Sequence, residues 1–177
     1  MENNKKKLQI GIIGYAGMEE YPSGAIKKSI YDMAERVGFL IAQKGAVVVT
    51  GGKGGIMESS AFGAKRAGGI TVGVIKGNKR FQSNESTDIE VLTGMEADGF
   101  DEFMLVSMCD AFIVLGGGAG TLEEITIAYR NKKPIVVIKN TGGWADKMSE
   151  FLDERETVKV DLVETPEEAV KKVFSII

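Results

Sequence analysis

Short apolar, β-branched runs alternate along the chain with longer stretches in which apolar residues recur at helical spacing. The runs predict strands at residues 8–13, 46–49, 70–75, 111–115, 135–138 and 157–160. Several are apolar throughout, as expected for strands that helices cover on both faces. Strands that alternate with helices form parallel sheets. We therefore predict an α/β fold with a doubly wound, mostly parallel sheet of about seven strands and helices on both faces.

The intervening patterns predict helices at residues 24–44, 56–67, 100–109, 121–131 and 144–152. Thr165, followed by Pro166 and two acidic residues, predicts the N-cap of a last helix. Residues 76–96 are the least regular stretch. Within it, residues 77–80 and 83–88 are expected to form loop, and loops of this length are often functional lids. Since no repeat or linker interrupts the pattern, we expect residues 1–177 to form a single domain.

Composition narrows the classes of function. The net charge of -3 and the absence of a basic run beyond Lys5–Lys7 argue against nucleic-acid binding. The chain has no histidine and one cysteine, Cys109, which excludes histidine-based catalysis and an internal disulfide framework and fits a reducing compartment. The first apolar stretch is broken by Gly11 and Gly14 and is too short for a membrane span. We expect a cytoplasmic protein with no membrane partner.

Three predicted strands end in glycine clusters. In an open α/β sheet, ligands bind at these carboxyl ends, where backbone amides and a helix N-terminus attract anions. The third cluster is the best candidate for a phosphate site, and the other two are candidates for further ligand contacts. The phosphate-binding candidates are Gly117, Gly118, Ala119, Gly120 and Thr121, and the ligand-binding candidates are Gly14, Tyr15, Gly51, Gly52, Lys53 and Gly54. Tight turns and close helix packing alone would also explain glycines at these positions.

Two acidic residues, Glu123 and Glu124, follow the third cluster directly. A carboxylate one turn into such a helix faces the ribose side of a bound nucleotide, where it binds hydroxyls, activates water or stabilises an oxocarbenium charge. Alternatively, an acid here only complements the helix dipole. We assign the dipole role to Glu123 and the functional role to Glu124, as the candidate catalytic residue if the protein is an enzyme.

The run Gly117-Gly118-Ala119-Gly120-Thr121-Leu122-Glu123-Glu124 resembles the P-G-G-x-G-T-x-x-E motif of the LOG family, the cytokinin riboside 5'-monophosphate phosphoribohydrolases, long mislabelled as lysine decarboxylases. The resemblance continues through residues 49–58, 69–75 and 110–112, and it implies a Rossmann-like fold. The Gly142-Gly143-Trp144 turn and the C-terminal strand and helix are more similar to a neighbouring branch that includes the molybdenum cofactor carrier proteins.

The sequence departs from the family pattern in two places. Gly116 replaces the motif proline, and Asp101 and Glu102 stand where the phosphoribohydrolases have an Arg-Lys pair. Two carboxylates repel a phosphate unless a cation intervenes. The missing charge could come from Lys53, Arg80 or Arg130, or from a divalent ion on Asp98, Asp101 or Glu102, although acidic helix faces are usually only solvated. We therefore predict no metal site.

The resemblance leaves two functions. One is a carrier or binding protein that holds a nucleotide or phosphorylated cofactor, and the other is a nucleoside 5'-monophosphate phosphoribohydrolase. The missing Arg-Lys pair favours the first. The sequence by itself assigns no cofactor, and a bound nucleotide, phosphate or molybdenum cofactor fits the resemblance. Relatives form dimers beside the site, so we expect a homo-oligomer, with residues 100–108 as a candidate interface. Lysine decarboxylation finds no support, since no setting for pyridoxal phosphate is present.

Overall fold

The computed structural model describes residues 6–17 and 28–177 as one seven-stranded sheet covered by helices. Every strand pairing is parallel, which confirms the predicted doubly wound, Rossmann-like α/β fold. The spatial order is β4-β3-β2-β1-β5-β6-β7. The strands are β1 (Gln9–Gly14), β2 (Val47–Thr50), β3 (Thr71–Ile75), β4 (Ile89–Leu92), β5 (Ala111–Leu115), β6 (Ile135–Ile138) and β7 (Val160–Val163).

Helices cover both faces of the sheet. In the described residues they are α1 (Lys28–Gln43), α2 (Ile56–Arg66), α3 (Phe100–Met108), α4 (Ala119–Arg130) and α5 (Pro166–Ile176). Buried residues of α1, α2 and α5 pack against one face, and those of α3 and α4 pack against the other. Residues 24–27 of the first predicted helix lie outside the described residues. None of the helices that the structure describes is long and apolar enough to cross a membrane.

The least regular segment, residues 76–96, contains an edge strand after the residues predicted as loop. β4 pairs with β3 from Val72↔Ile89 to Ile75↔Leu92. Ile89 is exposed and its three successors in the strand are half-buried, so the segment lacks the apolar run of a central strand. Edge strands carry a weak sequence signal because one side of the strand has no neighbour.

The prediction of a helix at residues 144–152 is wrong, because only a short 3-10 helix, Ala145–Lys147, forms there. The Asp146 carboxylate accepts hydrogen bonds from the N–H groups of Thr141 and Gly142, at 3.2 and 3.0 Å. These bonds fold the segment back on itself, and Met148 is already extended. Local side-chain bonds of this kind compete with helix formation.

The last strand begins later than predicted, at Val160 instead of residue 157, because it takes its register from β6. The predicted cap of the last helix is confirmed. Thr165 Oγ1 accepts the N–H of Glu168, and the Glu168 carboxylate accepts the N–H of Thr165, each at 3.2 Å. These two bonds form a capping box.

The strand order reverses beside β1, which has β2 on one side and β5 on the other. The chain runs outward from β1 to β4, returns to β5 and then continues in the opposite direction. The helices that follow β1 and β5, α1 and α4, lie on opposite faces of the sheet, which leaves a crevice above the carboxyl ends of these two strands. This crevice positions the candidate site.

Candidate functional site

A cavity of about 90 Å³ opens above the carboxyl ends of β1, β2 and β5. All three glycine clusters contribute to its wall, and the first turn of α3 closes the other side. Its lining residues are Gly14, Ala16, Gly51, Lys53, Met57, Asp101, Glu102, Leu105, Gly120, Thr121 and Glu124. The cavity therefore lies at the reversal of strand order, where ligands bind in folds of this type.

The third glycine cluster, residues 116–121, forms the turn between β5 and α4 and is called the glycine turn below. Gly116 and Gly117 have φ angles of 65° and 101°, which other residues adopt only with strain. Gly118 is the N-cap of α4 and has no side chain to accept the first N–H groups of the helix. Those groups have no acceptor within the helix, and the helix dipole makes this end positive. The geometry suits an anion.

Hydrogen bonds from a neighbouring segment hold the glycine turn from behind. The N–H of Gly116 donates to Thr141 Oγ1 at 2.9 Å. The N–H groups of Trp144 and Ala145 donate to the carbonyls of Gly117 and Gly116, at 3.0 and 3.1 Å. The turn thus keeps its shape without using the amides at the start of α4.

Tyr15 and Thr121 connect the glycine turn to the end of β1. The Tyr15 ring is 8% exposed, and a Cβ on Gly116 would lie 2.1 Å from it. Thr121 Oγ1 donates to the carbonyl of Gly14 at 3.3 Å. Tyr15 therefore lies under the turn as a packing residue, whereas Thr121 both lines the cavity and joins α4 to β1.

The structure brings half of the predicted site residues to the cavity wall. Those that line it are Gly14, Gly51, Lys53, Gly120, Thr121 and Glu124. The others flank it without lining it: Tyr15, Gly52, Gly54, Gly117, Gly118 and Ala119. The flanking residues shape the turns, and the lining residues contact the cavity.

Asn84, in the least regular segment (residues 76–96), holds the second glycine cluster, residues 51–55, in place. Its backbone N–H and side-chain amide donate to the carbonyl of Gly52, at 2.8 and 3.0 Å. The same side-chain amide donates to the carbonyl of Lys53 at 2.8 Å. The segment thereby fixes the backbone from which the Lys53 side chain extends.

Asp101 and Glu102 lie in the first turn of α3, across the cavity from the glycine turn. Glu102 Oε2 accepts the N–H of Gly99 at 3.1 Å, while its Oε1 lies 3.5 Å from the position of a Cβ on Gly120. Asp101 is 9% exposed, and its Oδ1 is buried without a hydrogen-bond partner among the described residues. The two acids that replace the Arg-Lys pair therefore face the cavity, and Glu102 reaches across it to the glycine turn.

Glu124 lines the same cavity from the second turn of α4. Burial raises the pKa of its carboxyl well above the usual range, the charges of Glu102 and Asp101 raise it further, and the Lys53 ammonium opposes them. Burial also raises the pKa of Glu102, and a hydrogen bond that the neutral Glu102 acid donates to the Asp101 carboxylate raises it further. Both environments favour the neutral acid over the carboxylate.

Lys53 is the one cation among the described residues that line the cavity. The other two cations considered from the sequence lie elsewhere: Arg80 beside Phe81 on a separate surface groove, and Arg130 on the outer side of α4. Asp98, a candidate ion ligand, is ion-paired with Lys76 instead. The cavity wall therefore has more acidic than basic groups.

Sequence reasoning missed the apolar residues of the wall, Ala16, Met57 and Leu105. Met57 and Leu105 lie on buried helix faces, where the hydrophobic pattern indicates only core packing. In residues 6–17 and 28–177, no three His, Cys, Asp or Glu side chains form a group that could hold a metal ion by itself.

Comparison with known proteins finds relatives over nearly the whole chain. A family model described as the SLOG cluster4 family matches residues 7–170. An uncharacterized protein of Archaeoglobus fulgidus is 40% identical over 134 residues, which are 76% of this chain and 82% of that protein. A cytokinin riboside 5'-monophosphate phosphoribohydrolase of Mycobacterium tuberculosis is 32% identical over 120 residues, 64% of each chain.

Solved structures resemble the whole fold. The structural-genomics target TM1055 has a TM-score of 0.86 and 30% identity, with 96% of this chain and 99% of that chain covered. The molybdenum cofactor carrier protein of Chlamydomonas reinhardtii has a TM-score of 0.80 and 27% identity, covering 96% and 98%. The molybdenum cofactor binding protein of Rippkaea orientalis has a TM-score of 0.79 and 27% identity, covering 97% and 98%.

Proposed function

The chain belongs to the SLOG cluster4 family, and we propose that it is a carrier or binding protein that holds a nucleotide or a phosphorylated cofactor at its glycine turn. Its membership, together with the phosphoribohydrolase and molybdenum cofactor carrier relatives, confirms the family resemblance drawn from the motif. The phosphate group is proposed to bind at residues 117–121, with the rest of the ligand extending toward Gly14, Gly51 and Lys53.

One observation carries the proposal: the first turn of α4 presents uncapped N–H groups at the wall of a cavity. No acidic side chain lies in that first turn. Glu123, to which the sequence assigned the dipole role, comes one turn too late to neutralise the positive end of α4. The hydrogen bond that Thr141 Oγ1 accepts from Gly116, and those that Trp144 and Ala145 donate to the turn, preorganise it before any ligand binds. A rigid set of amide donors binds a phosphate without first paying an ordering cost.

Binding is favoured over turnover by the charge of the opposite wall. Where the family's hydrolases have an Arg-Lys pair, this chain places Asp101 and Glu102 within the cavity. Hydrolysis of an N-glycosidic bond needs groups that stabilise the charges of the reacting sugar phosphate, and two acids do not replace two cations. The carrier and binding proteins of Chlamydomonas and Rippkaea share this fold over nearly its full length.

The first experiment measures binding and turnover on the same preparation. Protein purified without added nucleotide is analysed by native mass spectrometry, and whatever ligand is found is incubated with fresh protein. AMP, GMP and ribose 5-phosphate are then tested by thermal shift, with free base monitored by chromatography. We expect the melting temperature to rise and no base to be released, because ligands that bind only the native state stabilise it.

Gly118→Val is the test variant, since a side chain at the N-cap obstructs the amides. Gly68→Ala, at a distant glycine with open space around it, is its control, since alanine tolerates the positive φ of Gly68 better than a β-branched residue does. Loss of the thermal shift in the first variant alone supports the proposal. If no phosphorylated ligand shifts the melting temperature of the wild-type protein, the proposals of binding and of hydrolysis at this site are both wrong.

Hydrolysis of a nucleoside 5'-monophosphate is the second candidate, and the position of Glu124 favours it. A carboxyl with a raised pKa at the cavity wall is suited to donate a proton to a leaving base or to assist attack by water. Release of free base that Glu124→Gln abolishes, and that Glu123→Gln at the exposed neighbouring acid leaves intact, would replace the carrier proposal with this one.

We also expect a cytoplasmic homo-oligomer. Phe100 and Phe103 on α3 are 47% and 56% exposed, and apolar side chains of this size favour a partner surface. Light scattering on the wild type and on Phe103→Lys tests this expectation: a lower mass for the variant supports it, and a monomeric wild type refutes it.

A further inference from the structure

Asp101 has an unexplained carboxylate oxygen beside the proposed phosphate site. The residue is 9% exposed, lines the cavity, and has its Oδ1 buried without a hydrogen-bond partner among the described residues. Buried polar atoms are nearly always paired, so an unpaired carboxylate oxygen calls for a ligand. The start of α3 does not explain it, because Glu102, and not Asp101, accepts the N–H of Gly99.

The cavity's charges show what kind of ligand is needed. Its wall has three carboxyl groups, from Asp101, Glu102 and Glu124, and one ammonium group, from Lys53. Glu102 Oε1 lies only 3.5 Å from the position of a Cβ on Gly120, within the glycine turn. A phosphate bound to those amides would lie close to these acids, and each acid that ionises repels it unless a positive charge lies between them.

We propose that the site binds its phosphorylated ligand together with a divalent cation, held by Asp101 and Glu102 on one side and by the ligand's phosphate on the other. This inference rests on the proposed function, since the phosphate is one of the ion's ligands. Mg²⁺ is the cation of choice, because it typically binds one or two carboxylates together with phosphate oxygens and keeps several waters.

The size and composition of the cavity agree with such a bridge. About 90 Å³ accommodates a hydrated ion and phosphate oxygens, with the sugar and base outside. The described residues contain no group of three acidic side chains that could hold a metal ion alone, so the ion is expected to bind weakly until the phosphate supplies further oxygens. Cation and phosphate therefore bind cooperatively.

The test measures ribose 5-phosphate binding to the full chain by calorimetry, in EDTA and in excess Mg²⁺. We expect the affinity to be at least about tenfold higher with Mg²⁺, because an ion between phosphate and carboxylate turns repulsion into attraction. In parallel, the electron paramagnetic resonance signal of Mn²⁺ should fall on adding protein and ribose 5-phosphate together, and much less with protein alone.

Asp101→Asn is the test variant and Asp98→Asn its control, because Asp98 is also acidic but is 95% exposed at its side chain and paired with Lys76. Asp101→Asn should lose the Mg²⁺ enhancement and bind ribose 5-phosphate more tightly than the wild type in EDTA, since one repelling charge is removed. Asp98→Asn should keep the wild-type enhancement. If Asp101→Asn does not fold, the Mn²⁺ signal of the wild type decides the question by itself.

The outcomes separate this inference from the function on which it rests. Equal affinity in EDTA and Mg²⁺ would overturn the inference and leave the phosphate site standing. An affinity for ribose 5-phosphate that rises at lower pH but not with Mg²⁺ would also overturn the inference and leave the phosphate site standing, because protons and not a metal ion would then neutralise the carboxylates. No binding under any condition would overturn the proposed function as well.

Discussion

The backbone of Gly117 lies directly against the side chain of Thr121: a Cβ on Gly117 would come within 2.4 Å of Thr121 Oγ1. Gly117 also has a φ of 101°. The turn between β5 and α4 can therefore bring its amides and the Thr121 hydroxyl together only if Gly117 has no side chain. This contact explains a glycine that does not itself line the cavity.

Gly117→Ala should destabilise the protein by about 3 kcal/mol, from a strained φ and overpacking together. Denaturant unfolding measures the change. Gly68→Ala is the matched control, because Gly68 has a φ of 72° with nothing near its Cβ position. It should cost only about 1 kcal/mol, from the φ alone. Equal losses in the two variants would mean that the contact with Thr121 has no energetic role.

Lys53→Gln should weaken ribose 5-phosphate binding by about fivefold, because an exposed ion pair contributes up to about 1 kcal/mol. Lys53 is exposed but lines the cavity. Arg80→Gln, which removes a cation from a different groove, should leave the affinity unchanged. Calorimetry under fixed ionic conditions measures both. A larger effect for Arg80→Gln would show that the phosphate binds elsewhere.

Glu90 makes stability depend on pH in the acidic range. Its carboxylate accepts the N–H groups of Phe81, Gln82 and Ser83 at 2.6, 2.8 and 2.9 Å, and these bonds lower its pKa to about 2. A group whose pKa is lowered by folding stabilises the native state above its unfolded pKa, about 4.3, and loses this effect as the pH falls through the folded value.

Glu90→Gln should therefore be less stable than the wild type at neutral pH, with the difference shrinking between about pH 4 and pH 2. Urea unfolding at several pH values measures it. Glu85→Gln, at an exposed acid of the same segment, should show no such trend. A Glu90→Gln difference that does not change with pH would mean that the carboxylate charge does not stabilise this segment.

Cys109 should be unreactive in the folded protein. It is fully buried, and burial raises the pKa of its thiol, so both access and thiolate formation are suppressed. A disulfide reagent such as Ellman's reagent should label it only after denaturant is added. Rapid labelling of the native protein would show that α3 opens readily at its carboxyl end.

The sequence by itself determined the strands and helix caps that depend only on residues close together in the chain. Central strands such as β5 and β6 are continuous apolar runs that only a sheet covered on both faces can bury, and the capping box at Thr165 is set by residues three apart. The glycine turn was also predictable from the sequence, because a run of residues without side chains directly before a helix is typical of an anion-binding turn.

Tertiary structure alone decided the remaining features. β4 exists because β3 offers it a pairing edge. Residues 144–152 do not form the predicted helix, because the Asp146 carboxylate accepts the N–H groups of Thr141 and Gly142 and the amides of Trp144 and Ala145 bond to the glycine turn. The sequence showed two acids in place of a cationic pair, but only the fold could place Glu102 beside Gly120 and leave Asp101 Oδ1 without a hydrogen-bond partner among the described residues. The physical reason is that distances between residues far apart in the chain are set by packing, and local patterns of hydrophobicity carry no information about them.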